Sequence, residues 1–389
     1  MTRLGIYVQV PFCQTKCTYC NFHTGVVATS RFAPYAEAVC REIREHKERY
    51  AEKGVLLPEG LLDAEVDTVY MGGGTPSLLD SSHLREILGA IRESFAAEFT
   101  EVTLEADPET VESEKAAAWV RAGINRVSFG LQSFVDKELI AAGRMHRRAD
   151  IYRAVPILRA AGIRIISFDL IAGLPYQTKE SWRQSLEELA ALEPEHVSIY
   201  LLEIDEGSRL GKELLWGGGR YSAGAVPNED EMAEFYETAQ EFLRGAGYHH
   251  YEISNWAKPG FESKHNLKYW RRAPYLGFGA GAHSFSGTER WANAHDAAGY
   301  VSAIQSGRLP VEQQEKLTAE SALEEELFLG LRQLDGIDLS QIEREYGVAL
   351  AGRFDPLASA GLVEREGSLV RLAPGRLSIS NEVFVELMR

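Results

Sequence analysis

Short apolar runs recur along the first half of the chain, and longer amphipathic stretches separate them. Apolar runs rich in Val, Ile, Tyr and Phe predict strands, and apolar positions repeating every three to four residues predict helices. The predicted strands are 4–10, 66–72, 101–107, 126–132, 164–173 and 196–204, and the clearest helices between them are 32–51, 82–95 and 181–192.

This alternation is typical of an α/β protein whose parallel sheet is covered on both faces. Six strand–helix units are too few for an eight-fold barrel. The pattern alone therefore leaves two architectures open, a partial (β/α)6 barrel and a doubly wound sheet.

The pattern becomes looser after about residue 215. A helix is predicted at 230–247, and the segment 248–300 is rich in Tyr, Trp, His and Gly. From residue 318 a helix, two further helical stretches and a hairpin within 362–380 predict a winged-helix-like module. We therefore divide the chain into a core at 1–215, an extension at 216–317 and a C-terminal module at 318–389.

Charge narrows the range of partners. The net charge of −16 argues against sequence-independent binding to nucleic acid or to an anionic membrane, because both require a cationic surface. The C-terminal module is itself acidic, with 13 Asp and Glu against 7 Arg and no Lys, which favours docking or a lid over DNA reading. No apolar run approaches the ~20 residues of a membrane span, and the N-terminus does not resemble a signal peptide. We expect a cytoplasmic protein.

Three of the four cysteines, Cys13, Cys17 and Cys20, fall within eight positions. They lie too close together for a disulfide framework, so the spacing indicates metal or redox chemistry. One alternative is a structural zinc site with His23 as the fourth ligand, although zinc ligands usually come in two separated pairs. Another is a four-iron cluster with one iron left open by the protein. Cys40, on a helix among apolar residues, is interpreted as a buried structural thiol.

The C-x3-C-x2-C spacing, with Tyr19 before the last cysteine, resembles that of radical S-adenosylmethionine (SAM) proteins. The resemblance implies a [4Fe-4S] cluster on Cys13, Cys17 and Cys20 and a radical-SAM partial barrel at 1–215. It also implies that the amino and carboxylate groups of SAM chelate the open iron. The radical chemistry then belongs to the cofactor.

Polar residues and glycines follow several predicted strands, where (β/α) barrels carry their sites. "MGGGTPS" follows the second strand, Glu105 the third, Gln132 the fourth and Asp169 lies in the fifth. The triple glycine resembles the superfamily's glycine-rich element, which contacts the amino group of SAM, although a tight βα turn would need the same residues.

Nearly the whole chain, from "IYVQVPFC" onwards, resembles the branch that holds oxygen-independent coproporphyrinogen III oxidases and heme chaperones. By that resemblance, one group of residues would line the SAM site. They are Tyr7, Phe22, Gly73, Gly74, Thr75, Glu105, Gln132, Arg144 and Asp169.

Two departures separate this chain from the oxidase pattern. Phe22 stands where the oxidase has a further cysteine, and the oxidase's extension ahead of the first strand is missing. That extension helps to shape the oxidase active site. We therefore expect no decarboxylation of coproporphyrinogen, although the oxidase remains the alternative function.

"HNLKYW" at 265–270 resembles a motif of heme-binding members of this branch. His265 could offer a ring nitrogen to iron, and Tyr269 and Trp270 could offer flat apolar surface to the heme. Asn266 completes the motif. In the alternative interpretation these residues make structural hydrogen bonds and packing contacts. Heme propionates could meet the cations nearby, which are Lys264, Lys268, Arg271 and Arg272.

The expected function is therefore that of a heme chaperone with a SAM-liganded cluster, which carries heme as cargo to a respiratory target protein. The resemblance also makes a cluster-linked homodimer plausible. His249 and His250 rank low as further heme or metal ligands, because adjacent residues on a strand point to opposite faces.

Overall fold

The computed structural model describes residues 3–387 apart from 56, 57 and 59. Within that part of the chain, no helix is both long and apolar enough to cross a membrane. The helices are α1 (Phe32–Lys53), α2 (Ser81–Ser94), α3 (Ser113–Ala122), α4 (Asp136–Ala141), α5 (Arg148–Ala161), α6 (Lys179–Ala191), α7 (Arg209–Trp216), α8 (Glu229–Gly245), α9 (Lys264–Trp270), α10 (Ala297–Gln305), α11 (Ala319–Gly330), α12 (Leu339–Tyr346), α13 (Ala351–Ser359) and α14 (Ser380–Leu387).

Fifteen strands are assigned in the same residues, and most belong to one large sheet. They are β1 (Leu4–Val10), β2 (Val66–Gly73), β3 (Ala97–Ala106), β4 (Arg126–Gln132), β5 (Ile165–Ala172), β6 (His196–Leu201), β7 (His249–Glu252), β8 (Asn255–Ala257), β9 (Tyr275–Phe278), β10 (His283–Phe285), β11 (Glu289–Asn293), β12 (Val311–Lys316), β13 (Ile337–Asp338), β14 (Val363–Glu366) and β15 (Leu369–Leu372).

The six predicted strands form β1 to β6, and each is parallel to the next in chain order. A doubly wound sheet reverses its strand order at one point, so this order favours the partial (β/α)6 barrel. The later strands extend both edges. β9 pairs in parallel with β1 and leads to β10, β11 and β12. At the other edge β8 pairs antiparallel with β6, and β7 pairs antiparallel with β8.

Helices cover one face of the parallel strands, because α1 contacts α2, α2 contacts α3 and α3 contacts α5. On β2, Val69 and Met71 are completely buried under this layer. Thr68 and Tyr70 alternate with them, and Tyr70 faces a cavity. On the inner face α9 contacts β2, while Tyr70 and other inward residues border the cavity, so helices cover this face only in part.

The C-terminal part contains the three helices α11, α12 and α13 followed by the hairpin β14–β15, as predicted. β13 adds a third strand beside β15. The rest of the predicted hairpin segment instead forms a 3-10 helix at Pro374–Ile379, which leads into α14. The domain boundaries at 215 and 317 stay predictions.

Candidate functional site at the strand ends

A cavity of roughly 600 Å³ lies on the inner face of the parallel strands. Its upper end is formed by the cysteine loop and by the carboxyl ends of β2 to β6. Its far end reaches Ser254, Asn266, Arg332 and the start of α14. A volume of this size is usual for a small-molecule site.

The cysteine loop follows β1 and is anchored at both sides. Cys13 N donates to Gly25 O at 3.0 Å, and Thr18 N donates to Ala142 O at 2.9 Å. All three thiols border the cavity, with Cys17 buried and Cys13 and Cys20 half-buried. Burial raises the pKa of the Cys13 thiol. The loop therefore presents three thiols without disulfides to one space.

This arrangement fits an iron–sulfur cluster better than a zinc ion. His23, the fourth ligand of the zinc alternative, is exposed and packs its ring against His295, with centroids 4.1 Å apart. In the described part of the chain, no three His, Cys, Asp or Glu side chains converge on a position for a single metal ion. A four-iron cluster instead takes one thiolate at each iron.

The glycine turn after β2 locks the cysteine loop to the barrel. Gly74 N donates to Val10 O at 2.8 Å, and Thr75 N donates to Phe12 O at 2.7 Å. A Cβ on Gly74 would lie 2.5 Å from Phe12 O, so any side chain at Gly74 would displace the loop. The tight turn and the predicted role beside a ligand therefore use the same residues.

Glu105 is half-buried beside this turn. Its carboxylate accepts hydrogen bonds from Tyr70 Oη and Gly73 N, both at 2.9 Å. Burial raises the pKa of Glu105 to about 7, and the charges of Asp169 and Asp107 add to the rise. Burial also raises the pKa of Asp169 to about 6. This part of the cavity favours a ligand that carries positive charge.

Gln132 ends β4 with a φ of 67°, where its pairing with β5 shifts register. A left-handed conformation is uncommon for a residue with a side chain, and such residues concentrate at functional sites. Gln132 lines the cavity, and its Oε1 is buried with no hydrogen-bond partner among the described residues. A ligand could supply the missing donor.

Eight of the nine predicted SAM residues border the cavity. Phe22 does so at the mouth, where it is 65% exposed. Tyr7 is the exception, because it lies one layer behind, donating to Gln9 Oε1 at 2.7 Å and stacking on Tyr70.

Several polar residues of the cavity wall were not predicted from the sequence. They are Tyr70, Asp107, Ser128, Ser198 and Tyr200. Four of them face inward because side chains alternate between the two faces of a strand, and Asp107 follows directly after β3. This alternation along the predicted strands could have identified them.

The "HNLKYW" segment forms α9 at the floor of the barrel. The carboxylate of Glu101, from β3, accepts from His265 N at 3.0 Å and from Lys264 N at 3.2 Å. Arg126 pairs with the same carboxylate at 3.2 Å, and both charged side chains are 2% exposed. A buried ion pair thus fixes the start of α9.

His265 is completely enclosed. Its Nδ1 lies 3.0 Å from Thr68 Oγ1, its Nε2 lies 2.9 Å from Tyr269 Oη, and the ring packs on Tyr70. Burial, with Lys268 nearby, lowers its pKa to about 3, so the imidazole is neutral. Both nitrogens are engaged, and binding to iron would require one of these hydrogen bonds to open.

The cations around α9 are largely committed to protein partners. Lys268 pairs with Asp67 at 2.8 Å, and Arg271 donates to Gln333. Arg272 pairs with two acidic residues of α11, Glu325 and Glu326. Lys264 is exposed.

The other residues considered in the sequence, Cys40, His249 and His250, do not border the cavity. Cys40 is 4% exposed on α1, as predicted, and burial raises its pKa to about 11. His249 is exposed, whereas His250 stacks on Trp256 with centroids 4.0 Å apart.

Comparison with known proteins agrees with this geometry. The sequence model of the Radical SAM superfamily matches residues 7–189, and that of the HemN C-terminal domain matches 317–375. Heme chaperone HemW of Bacillus subtilis (strain 168) is 34% identical over 384 residues, which cover 97% of each chain. The chain belongs to the HemW family of radical SAM proteins.

A second relative matches a shorter part of the chain. Heme chaperone HemW of Escherichia coli (strain K12) is 34% identical over 72% of this chain and 69% of its own. Among solved structures, coproporphyrinogen III oxidase (HemN) from Escherichia coli has a TM-score of 0.81 at 23% identity, covering 99% of this chain and 90% of its own. At that identity the likeness shows the fold alone. Radical SAM domains in general hold a [4Fe-4S] cluster and SAM.

Proposed function

We propose that this chain is a cytoplasmic heme chaperone, which carries a SAM-liganded [4Fe-4S] cluster and passes heme to a respiratory target protein. The proposal is supported by HemW relatives that match over almost the full chain. The observation that carries it is that the cysteine loop and Asn266, from the "HNLKYW" helix, border one cavity.

In this scheme Cys13, Cys17 and Cys20 hold the cluster, which with bound SAM supplies one-electron chemistry. The protein would orient SAM with polar groups that surround it. Gly73, Gly74, Thr75, Glu105, Gln132, Arg144 and Asp169 would line its site, with Phe22 at the mouth and Tyr7 supporting the wall.

Heme would contact α9 and the residues around it. The cavity has the size of one small-molecule site, and the cluster and SAM would fill it. Heme would therefore meet α9 at the far end of the cavity. Asn266 and Trp270, four positions apart on α9, would face heme. His265 and Tyr269 would hold the helix in place through their mutual hydrogen bond.

The alternative is oxygen-independent coproporphyrinogen III oxidation. The shared fold with HemN favours it. Phe22, at the position where the oxidase pattern has a further cysteine, counts against it. We also propose a homodimer, linked through the cluster region.

An anaerobic experiment separates the two functions. Reconstituted protein with SAM and reductant would be incubated with coproporphyrinogen III, and porphyrin products and 5′-deoxyadenosine quantified. In parallel, heme-loaded protein would be mixed with a heme-depleted respiratory cytochrome, and heme transfer followed by absorbance. We expect transfer without decarboxylation. A decarboxylated product above a control without SAM would establish the oxidase instead.

A further inference from the structure

Arg332, directly after α11, occupies an unusual position at the far end of the cavity. Its guanidinium carbon lies 4.4 Å from the centre of the Trp270 ring, while the side chain also borders the cavity. Trp270 thus lies on one side of the guanidinium, and cavity space on another. Stacking on an indole fixes the plane of a guanidinium and leaves its edge available for a carboxylate.

The hydrogen-bonding capacity of Arg332 is only partly used. Nη2 pairs with Glu252 at 3.3 Å, whereas Nε is buried without a partner in the described part of the chain. The Trp270 indole nitrogen is likewise buried and unpaired within the described residues. A guanidinium carries five N–H donors, so donors remain after Glu252 is satisfied. Unpaired buried donors are costly unless a ligand completes them.

The ion pair with Glu252 does not use all the hydrogen-bond donors of Arg332. The Glu252 carboxylate also accepts from Ser254 N at 3.0 Å and from the side-chain amide of Asn255, so its charge is shared among three donors. The same end of the cavity is lined by further polar side chains. They are Ser254, Asn266, Ser378, Ser380 and Asn381.

We propose that the Arg332 guanidinium, held against the face of the Trp270 ring, forms a carboxylate subsite that receives a propionate group of the heme. The proposal rests on the heme binding proposed above. It differs from the sequence prediction, which placed the propionates on Lys264, Lys268, Arg271 and Arg272. Because Arg332 follows α11 and Trp270 ends α9, heme would bridge the barrel and the C-terminal module.

The test is a titration of the full-length protein with hemin and with hemin dimethyl ester, whose propionates are uncharged. Both are followed by Soret absorbance in the same detergent-containing buffer. We expect the unaltered protein to bind hemin about tenfold or more tightly than the ester, the usual effect of a charge-assisted hydrogen bond. Equal affinities for the two ligands would overturn the subsite without any substitution.

Arg332→Gln should weaken hemin binding by the same factor and leave ester binding within about twofold. Since this change strands the buried Glu252, the double variant Glu252→Gln/Arg332→Gln is measured beside it. Arg344→Gln, at an exposed arginine of α12 that donates to Ser340 and does not border the cavity, is the matched control and should change neither affinity. An equal loss for both ligands would make Arg332 a packing residue. If the unaltered protein bound neither ligand, the chaperone proposal itself would fail.

Discussion

Arg144 Nη1 donates to Cys17 Sγ across 3.4 Å, while its Nη2 bonds to Gly130 O at 2.7 Å and to Asp107. The guanidinium therefore ties the Cys17 thiol to the ends of β3 and β4. A positive charge beside a cluster stabilises its reduced form, and hydrogen bonds to sulfur also tune its potential.

Arg144→Gln should therefore lower the reduction potential of the cluster. We expect a decrease of about 60 mV, which corresponds to a tenfold change in the one-electron equilibrium. A redox titration followed by electron paramagnetic resonance measures it. Arg147→Gln is the control, because within the described residues the Arg147 side chain donates to nearby backbone carbonyls, while its backbone N–H donates to Asp150. An unchanged reduction potential in the Arg144 variant would show that Arg144 does not influence the cluster.

Cys17→Ala should abolish the cluster, because no other described thiol borders the cavity apart from Cys13 and Cys20. Iron and acid-labile sulfide analysis of reconstituted protein provides the measurement. Cys40→Ala, which alters a buried thiol on α1, should retain the full content. A Cys17 variant with its full iron and sulfide would contradict the ligand assignment.

SAM affinity should depend on pH through Glu105. Its pKa of about 7 means that the carboxyl is ionised above pH 7 and protonated below it. Only the ionised form attracts the positive groups of SAM, so affinity should fall as the pH falls. Between pH 7.5 and pH 6 the dissociation constant should rise about eightfold. Anaerobic calorimetry tests this, and Glu105→Gln should remove most of the dependence, leaving the smaller contribution of Asp169, whose pKa is about 6.

Glu101→Ala should destabilise the floor of the barrel. The change leaves Arg126 buried and unpaired and removes the acceptor of two amides, those of Lys264 and His265. Losing one member of a buried pair costs about 3–5 kcal/mol of unfolding free energy. Denaturant titration measures that cost, and hydrogen exchange at the two amides should accelerate. Glu65→Ala, at the more exposed pair with Arg3, should cost less than about 1 kcal/mol.

His265→Ala should lower stability by about 2 kcal/mol, since it creates a cavity and strands the hydroxyl groups of Thr68 and Tyr269. Heme affinity should fall as α9 loosens, while the Soret maximum should keep its position. A shifted maximum would place His265 on the iron. His250→Ala, at a histidine stacked on Trp256, should lower stability with no effect on heme.

Local pattern determines much of the barrel, and the sequence predicts those parts well. β1 and β4 begin and end where their apolar runs do, at Leu4–Val10 and Arg126–Gln132. Errors arise where tertiary pairing decides. β3 begins at Ala97 because Ala97 pairs with Val66, although its first residues are exposed. β6 ends at Leu201, before the predicted 204, where its pairing with β5 ends.

The candidate site likewise has a part that the sequence predicts and a part that it does not. Cys13, Cys17 and Cys20 lie on one loop, so their spacing predicts their grouping. The partners of His265 are different, because Thr68 lies 197 positions away and the anchor Glu101 lies 164 positions away. No local pattern encodes such contacts, which leave both nitrogens of the His265 ring hydrogen-bonded to protein hydroxyl groups.

The pairing of β1 with β9 has a consequence for synthesis on the ribosome. β1 leads directly into the cysteine loop, and one of its two neighbours is the strand Tyr275–Phe278. While the nascent chain is shorter than 278 residues, this edge of β1 has no partner from β9, and an unpaired edge invites wrong pairing. Iron and sulfide that arrived early would meet a loop held from one side only. Loading of the cluster should therefore follow completion of the barrel edge.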